Sequence, residues 1–168
     1  MDGTGAIGGN NNVFAGASAG GGSWATAESN YNVGIGHSAM DAAMNGALSN
    51  VAVGYSALSA LTTGDDNIAI GSGAMATTTT NSKNIAIGYE AAANMAAGID
   101  GCVAIGYQAL DAAVDTGHYT IAIGQHALGA LTSGDKNIGI GYQSGDALTS
   151  ENNNTIIGYQ AGTLLTAS

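Results

Sequence analysis

One phrase of five residues recurs along the chain, and its spacing constrains the fold more than any other feature. "NIAIG" at Asn67–Gly71 returns as "NIAIG" at Asn84–Gly88, "CVAIG" at Cys102–Gly106, "TIAIG" at Thr120–Gly124 and "NIGIG" at Asn137–Gly141. Anchored on the glycine, the copies fall at Gly36, Gly54, Gly71, Gly88, Gly106, Gly124, Gly141 and Gly158, each 17 or 18 residues after the last. A weaker copy, "NVFAG", ends at Gly16, and "TGAIG" at Thr4–Gly8 reads as a degenerate relic. A fixed period of this kind means small units stacked on their neighbours, each sharing its core with the next.

The phrase itself has a period of two. Ile68 and Ile70 alternate with Ala69, and the same holds for Val51/Val53, Ile85/Ile87, Val103/Ile105, Ile121/Ile123 and Ile138/Ile140. That is a short strand with one branched and one small face. Such a strand cannot stand alone, but copies stacked about 4.8 Å apart make a parallel ladder. The expectation is that Ile70, Ile87, Ile105, Ile123 and Ile140 form one inward row. The small face, along Ala52, Ala69, Ala86, Ala104 and Ala122, is then left for close packing against identical chains. The glycine after each strand implies a positive φ or close packing at a corner.

Beyond the glycine the spacing changes. Ala57, Leu58, Ala60 and Leu61 recur as Ala127, Leu128, Ala130 and Leu131, which fits one or two helical turns or an irregular corner with both leucines inward. "TTGDD" (Thr62–Asp66) and "TSGDK" (Thr132–Lys136) supply turn chemistry that returns the chain to the next strand. The prediction is a mainly β protein: a parallel β-solenoid, or β-roll, of about eight 17–18-residue coils, each a short strand plus a turn or short helical arm. Residues 32–168 form the repeat domain. Residues 1–31, with the glycine tract Gly20–Gly22 and Trp24, read as a glycine-rich N-terminal cap or connector.

Composition agrees. The chain has 28 Gly, no Pro, one Phe and one Trp, with only 8% charged residues, so a thin core of small side chains is expected. Its formal net charge is −10, with Lys83 and Lys136 the only Lys or Arg. That argues against nucleic acid and anionic membranes, both of which need clustered cations. No apolar run approaches the roughly 20 residues that span a bilayer, and no secretory signal is evident. The chain is expected to be soluble, a processed product or a fragment. Cys102 has no second cysteine in the chain with which to form a disulfide.

Asn32, Asn50, Asn67, Asn84, Asn137 and Asn154 occupy one coil position, with Cys102 and Thr120 substituting. They are either a stacked amide ladder or ordinary turn residues. On either reading Cys102 is a small residue facing a turn.

Repeats built like "NIAIGYEAA" (Asn84–Ala92), with turns like "TTGDD", resemble those of bacteriophage tail fibres and related trimeric fibre proteins. They are also similar to the shorter "AIG" repeats in the heads of trimeric autotransporter adhesins, which form left-handed parallel β-rolls. The resemblance covers Asn32–Ser168, and the 17–18-residue coil is longer than the adhesin repeat. It implies a structural or adhesive fibre module on a virion or cell surface, attaching to a host-cell glycan or protein receptor. With the small face it implies a homotrimer, intertwined or side by side. A self-assembling extracellular filament subunit with a purely structural role is the alternative.

No enzymatic activity, cofactor or metal is expected. Ser38, His37 and Asp41 lack the strand–turn–helix elbow of a nucleophile, and His37, His118 and His126 are not spaced as ligands. Asp65, Asp66, Asp100 and Asp135 offer the oxygens Ca²⁺ takes, but not in the glycine–aspartate nonapeptide that holds it between coils. They read as solvated turns. "GTGAIGG" (Gly3–Gly9) lacks the lysine of a phosphate loop, and the threonines at Thr77–Thr80 do not make the flat array of an ice-binding face. The candidate surface is a row directly after the glycines: Tyr55, Tyr89, Tyr107, Tyr142 and Tyr159, with His37, Ser72 and Gln125 filling the other places, beside Gln108, Gln143 and Gln160. It faces either a ligand or a neighbouring chain. The final coil, "NTIIGYQAGTLLTAS", carries no polar cap and is expected to be covered by another chain or segment.

Overall fold

A computed structural model describes residues 10–23, 27–112, 114 and 118–163. Trp24, the relic at Thr4–Gly8, the Gly3–Gly9 stretch and the last five residues of the C-terminal coil lie outside the described residues. Each copy of the phrase forms a three-residue strand: β1 (Val13–Ala15), β2 (Val33–Ile35), β3 (Val51–Val53), β4 (Ile68–Ile70), β5 (Ile85–Ile87), β6 (Val103–Ile105), β7 (Ile121–Ile123), β8 (Ile138–Ile140) and β9 (Thr155–Ile157). They pair in sequence order as one nine-stranded parallel sheet, with like residues opposite like: Ile68 on Ile85, Ala69 on Ala86, Ile70 on Ile87. The chain is a parallel β-solenoid, and coil n carries strand βn below. Among the described residues there is no helix, so none is long and apolar enough to cross a membrane.

The faces of the strand are the reverse of the expectation. Ala52, Ala69, Ala86 and Ala122 are wholly buried and Ala104 nearly so, whereas Ile70 is 39% exposed and Ile87, Ile105, Ile123 and Ile140 are half-buried. The alanines therefore line the inside of their own coil, and the isoleucine row faces out. The cause is thickness. A Cβ on Gly139, the strand centre of coil 8, would lie 2.7 Å from Cγ of Leu128 in the arm of coil 7, so the arm leucines leave room for only a small residue at a strand centre. Two end regions swap the sizes. Phe14 at the centre of β1 lies against Gly20, and Ile156 at the centre of β9 against Gly162.

The arms are irregular corners, not helical turns. Leu58, Leu110 and Leu128 have φ of 49°, 53° and 50°, a left-handed conformation that a right-handed helix excludes. Both leucines do point inward: Leu58, Leu61, Leu128 and Leu131 are fully buried. Strain at these corners is held by bonds between coils, such as Leu58 N–H to the Ala74 carbonyl at 3.1 Å and Leu110 N–H to Ala127 at 3.0 Å.

The repeat glycine meets both demands expected of it. From Gly16 to Gly141 its φ lies between 130° and 142°, and an added Cβ would come within 2.6 Å of the next coil's glycine carbonyl. Backbone rests on backbone there.

The asparagines do form a ladder. Asn50, Asn67 and Asn84 each donate Nδ2 to Oδ1 of the asparagine one coil earlier, at 3.0, 2.9 and 3.3 Å. The second Nδ2 proton goes to a carbonyl across the coil, of Gly64, Asn81 and Ile99 respectively. Each Oδ1 also accepts the backbone N–H of the residue one coil later. Every hydrogen-bonding atom of the buried amide is thereby used. Cys102 receives the ladder through its backbone N–H, 2.8 Å from Asn84 Oδ1, and is buried in the row with its Sγ 4.0 Å from the Asp100 carbonyl of the preceding turn. At Thr120 the hydroxyl is buried without a partner, as are those of Thr78 and Ser144.

Candidate binding surface

The turns before the strands carry a second ladder that engages the acidic side chains. Asp65 Oδ1 accepts Leu48 N–H, Asp100 Oδ1 accepts Ser82 N–H, and Asp135 Oδ1 accepts His118 N–H, at 2.8, 2.6 and 3.0 Å. His118 Nδ1 takes Asp100 N–H at 3.2 Å in the same way. These groups cap the backbone of the preceding coil. Among the described residues no cluster of three or more His, Cys, Asp or Glu could hold a metal ion. Elsewhere, burial pushes the Asp111 carboxyl up, and the Ser150 and Thr149 N–H groups hold Glu151 below the usual carboxylate range.

The tyrosine row lies at the other end of each strand, directly after the glycine. Two backbone features fix it. The residue following the row has a left-handed φ, from 49° to 54° at Ser38, Ser56, Glu90, Gln108, His126, Gln143 and Gln160. Its N–H then donates to the carbonyl of the row residue one coil earlier, as Gln108 does to Tyr89 and Gln160 to Tyr142. The tyrosine side chains are thrown outward: Tyr55 is 60% exposed, Tyr89 46%, Tyr107 45%, Tyr142 37% and Tyr159 74%.

Neighbouring rings one coil apart stack. His37 lies on Tyr55 with centroids 5.4 Å apart and planes at 14°, Tyr89 on Tyr107 at 5.3 Å and 12°, and Tyr142 on Tyr159 at 5.2 Å and 13°. That is the offset arrangement aromatic pairs favour. His126 meets Tyr107 edge-on. The amides form a parallel line: Gln160 Nε2 donates to Gln143 Oε1 at 2.9 Å, and Gln108 Nε2 to Glu90 Oε2 at 2.7 Å. The Glu90 carboxylate, next in the chain, also pushes the Tyr89 phenol's pKa up.

Sequence reasoning named the tyrosines and glutamines and put His37, Ser72 and Gln125 in the other places of the tyrosine row, but missed two partners. His126 meets the Tyr107 ring edge-on and Glu90 joins the amide line, which Gly73 interrupts in coil 4. Aligning the copies on their glycines puts all of these in the same two columns, so the signal was present. As for the triad candidates, His37 is engaged in the stack on Tyr55, and Ser38 is the left-handed residue beside it.

The second surface is the outward face of the sheet. Val33, Val51, Ile68, Ile85, Val103, Ile121 and Ile138 line one row, and Ile35, Val53, Ile70, Ile87, Ile105, Ile123, Ile140 and Ile157 the other. Both run unbroken from β2 to β8, the second continuing to Ile157 in β9, with Ile35 at 43%, Ile68 at 36% and Ile157 at 65% exposure.

The chain has no significant match among protein-family models, curated proteins or solved structures.

Proposed function

We propose that the chain is a structural and adhesive module of a homo-oligomeric surface fibre, with the trimer as its assembled form. The observation that carries this reading is the unbroken Ile/Val stripe. The longer row spans eight strands, which at about 4.8 Å per step is about 34 Å, and contiguous apolar patches of that extent mark association sites. The occupant that fits a straight, in-register stripe best is the same stripe on parallel copies, packed about a common axis. The stripe replaces the alanine face as the meeting surface, since the alanines are used inside each coil.

With the stripes turned inward, the tyrosine and glutamine rows stay on the outside and serve as the adhesive surface for a host-cell glycan or protein. A virion fibre or a cell-surface adhesin is the setting that suits such a module. The acidic balance and the absence of Arg go with a partner other than nucleic acid.

Sedimentation tests the reading. The native chain is expected to run as a trimer at micromolar concentration. Ile105→Asp, which puts a charge on the stripe without touching the coil interior, is expected to run as a folded monomer with unchanged circular dichroism. A native chain that stays monomeric refutes the proposal. An open-ended series of larger species assigns the filament role instead.

A further inference from the structure

We propose that coil 4 holds a recognition notch for a quaternary ammonium cation of the choline type, walled by Tyr55 and Tyr89 and edged by Glu90. This deepens the adhesive reading above by naming a ligand class for the tyrosine row.

The notch exists because coil 4 places Ser72 and Gly73 in the columns that elsewhere hold larger side chains. Tyr55 stacks on His37, one coil to one side, and Tyr89 on Tyr107, one coil to the other. The ring faces they turn toward coil 4 therefore oppose each other across a single small residue. A Cβ built on Gly73 would meet no residue of a neighbouring coil within 4 Å except Glu90, with Cγ at 3.2 Å and Cα at 3.9 Å.

The width selects the occupant. Two coil spacings put the rings about 9.6 Å apart, so a group midway is about 4.8 Å from each. That lies inside the roughly 6 Å over which a cation is attracted to an aromatic face. A trimethylammonium group presents methyls to both rings and carries little of the tight hydration that holds a lysine ammonium in water.

Charge complements shape. Glu90's carboxylate is held at the rim by Gln108 Nε2, at 2.7 Å. Neither lysine competes: Lys83 and Lys136 sit immediately before Asn84 and Asn137, at the far end of their strands from the tyrosine row. The net charge of −10 raises the local concentration of any cation. The other interruption, at Gln125, keeps a long side chain and has His126 packed on Tyr107, so it offers no second notch.

Titration of the full chain with choline and with tetramethylammonium, followed by NMR of the tyrosine ring protons, tests this. The expected result is saturable shifts at Tyr55 and Tyr89 and none at Tyr142 and Tyr159. Ser72→Tyr, which restores the residue used in five other coils, should weaken binding at least about tenfold, and Glu90→Gln severalfold. Equal binding of the neutral isostere 3,3-dimethyl-1-butanol, saturable binding of methyl glucoside at the same rings, or no effect of Ser72→Tyr each overturns the proposal. Cosedimentation with phosphatidylcholine vesicles distinguishes a lipid headgroup from choline on a soluble polymer, and either source supports the same chemistry. The outcome is separable from assembly: a trimer that ignores choline refutes only the notch, and a monomer that binds it refutes only the fibre.

Discussion

Asn67 is the position where one substitution tests the most of the architecture. Its Nδ2 donates to Asn50 Oδ1 at 2.9 Å and to the Asn81 carbonyl at 2.7 Å, and its Oδ1 accepts Asn84 N–H at 3.1 Å and Asn84 Nδ2 at 3.3 Å. Asn67→Ala removes all four bonds. Asn50 Oδ1 keeps the backbone N–H of residue 67, and Asn84 Nδ2 keeps the Ile99 carbonyl, so the side-chain neighbours suffer little. The Asn81 carbonyl and the Asn84 N–H are the groups deprived, and Asn67, Asn81 and Asn84 are each at most 1% exposed. At about 1–3 kcal/mol for each buried group left unpartnered, the loss is about 2–6 kcal/mol, a large part of a domain's usual stability of about 5–15 kcal/mol. Asn154→Ala is the internal reference. Its Nδ2 bonds, to Asn137 Oδ1 and the Asn152 carbonyl, lie at the more exposed end, and the cost should stay below about 1 kcal/mol. Urea unfolding gives the total, and hydrogen exchange at Asn84 N–H gives the local effect, which matters because repeat arrays can unfold in parts. Equal and small losses in the two variants would refute the ladder as a source of stability.

Three further outcomes follow from the same geometry. Gly88→Ala would put a Cβ 2.3 Å from the Gly106 carbonyl oxygen at a φ of 140°, and should split the array at coil 5, read as fast hydrogen exchange confined to coils 5 and 6. Thr78→Val removes a buried hydroxyl that has no partner and should stabilise the fold by about 1 kcal/mol in urea unfolding. Burial raises the Cys102 thiol from 9.0 to about 11. The folded state therefore keeps a proton that the unfolded chain releases, and stability is intact below pH 9 and falls as pH rises toward 11. The fall is about 2 kcal/mol, absent in Cys102→Ala, and measurable by unfolding at stepped alkaline pH.

The period and the register were legible in the sequence because like residues stack on like, and seventeen-residue spacing leaves few other ways to align them. Which strand face lies inside was not. Alternation says that two faces differ, and ordinary cores favour the larger residues, so Ile70 and Ile105 were placed inward. The deciding quantity is coil thickness, which Leu128 opposite Gly139 sets and which no single phrase reveals. Two pairings in the sequence carry that information: Phe14 with Gly20, and Ile156 with Gly162, where a large strand centre accompanies a glycine in the arm. The left-handed φ at Leu58 and Leu110 escaped notice for a different reason. Leucine has no local preference for it, so only bonds from the adjacent coil impose it. At the candidate surface the tyrosines were visible as a column, whereas the notch is an absence within the column and becomes visible only when coils 3, 4 and 5 are superposed.

The size exchange between strand centre and arm also governs how such a chain can change length. Coils 3 to 7 all place Ala at the strand centre, so duplicating or deleting one of them in the gene keeps the sheet register and the Ala-lined interior and alters the rod by one step of about 4.8 Å. Coils 1, 8 and 9 are keyed to particular neighbours: Phe14 also reaches under Gly34 of coil 2, and Ile156 under Gly145 of coil 8. Copies of coils 1 or 9 inserted among coils 3 to 7 would bring Phe14 or Ile156 against the arm leucines. Growth by duplication is thereby easiest among coils 3 to 7, while the size-swapped coils are inherited together with the glycine-bearing neighbours that accept them.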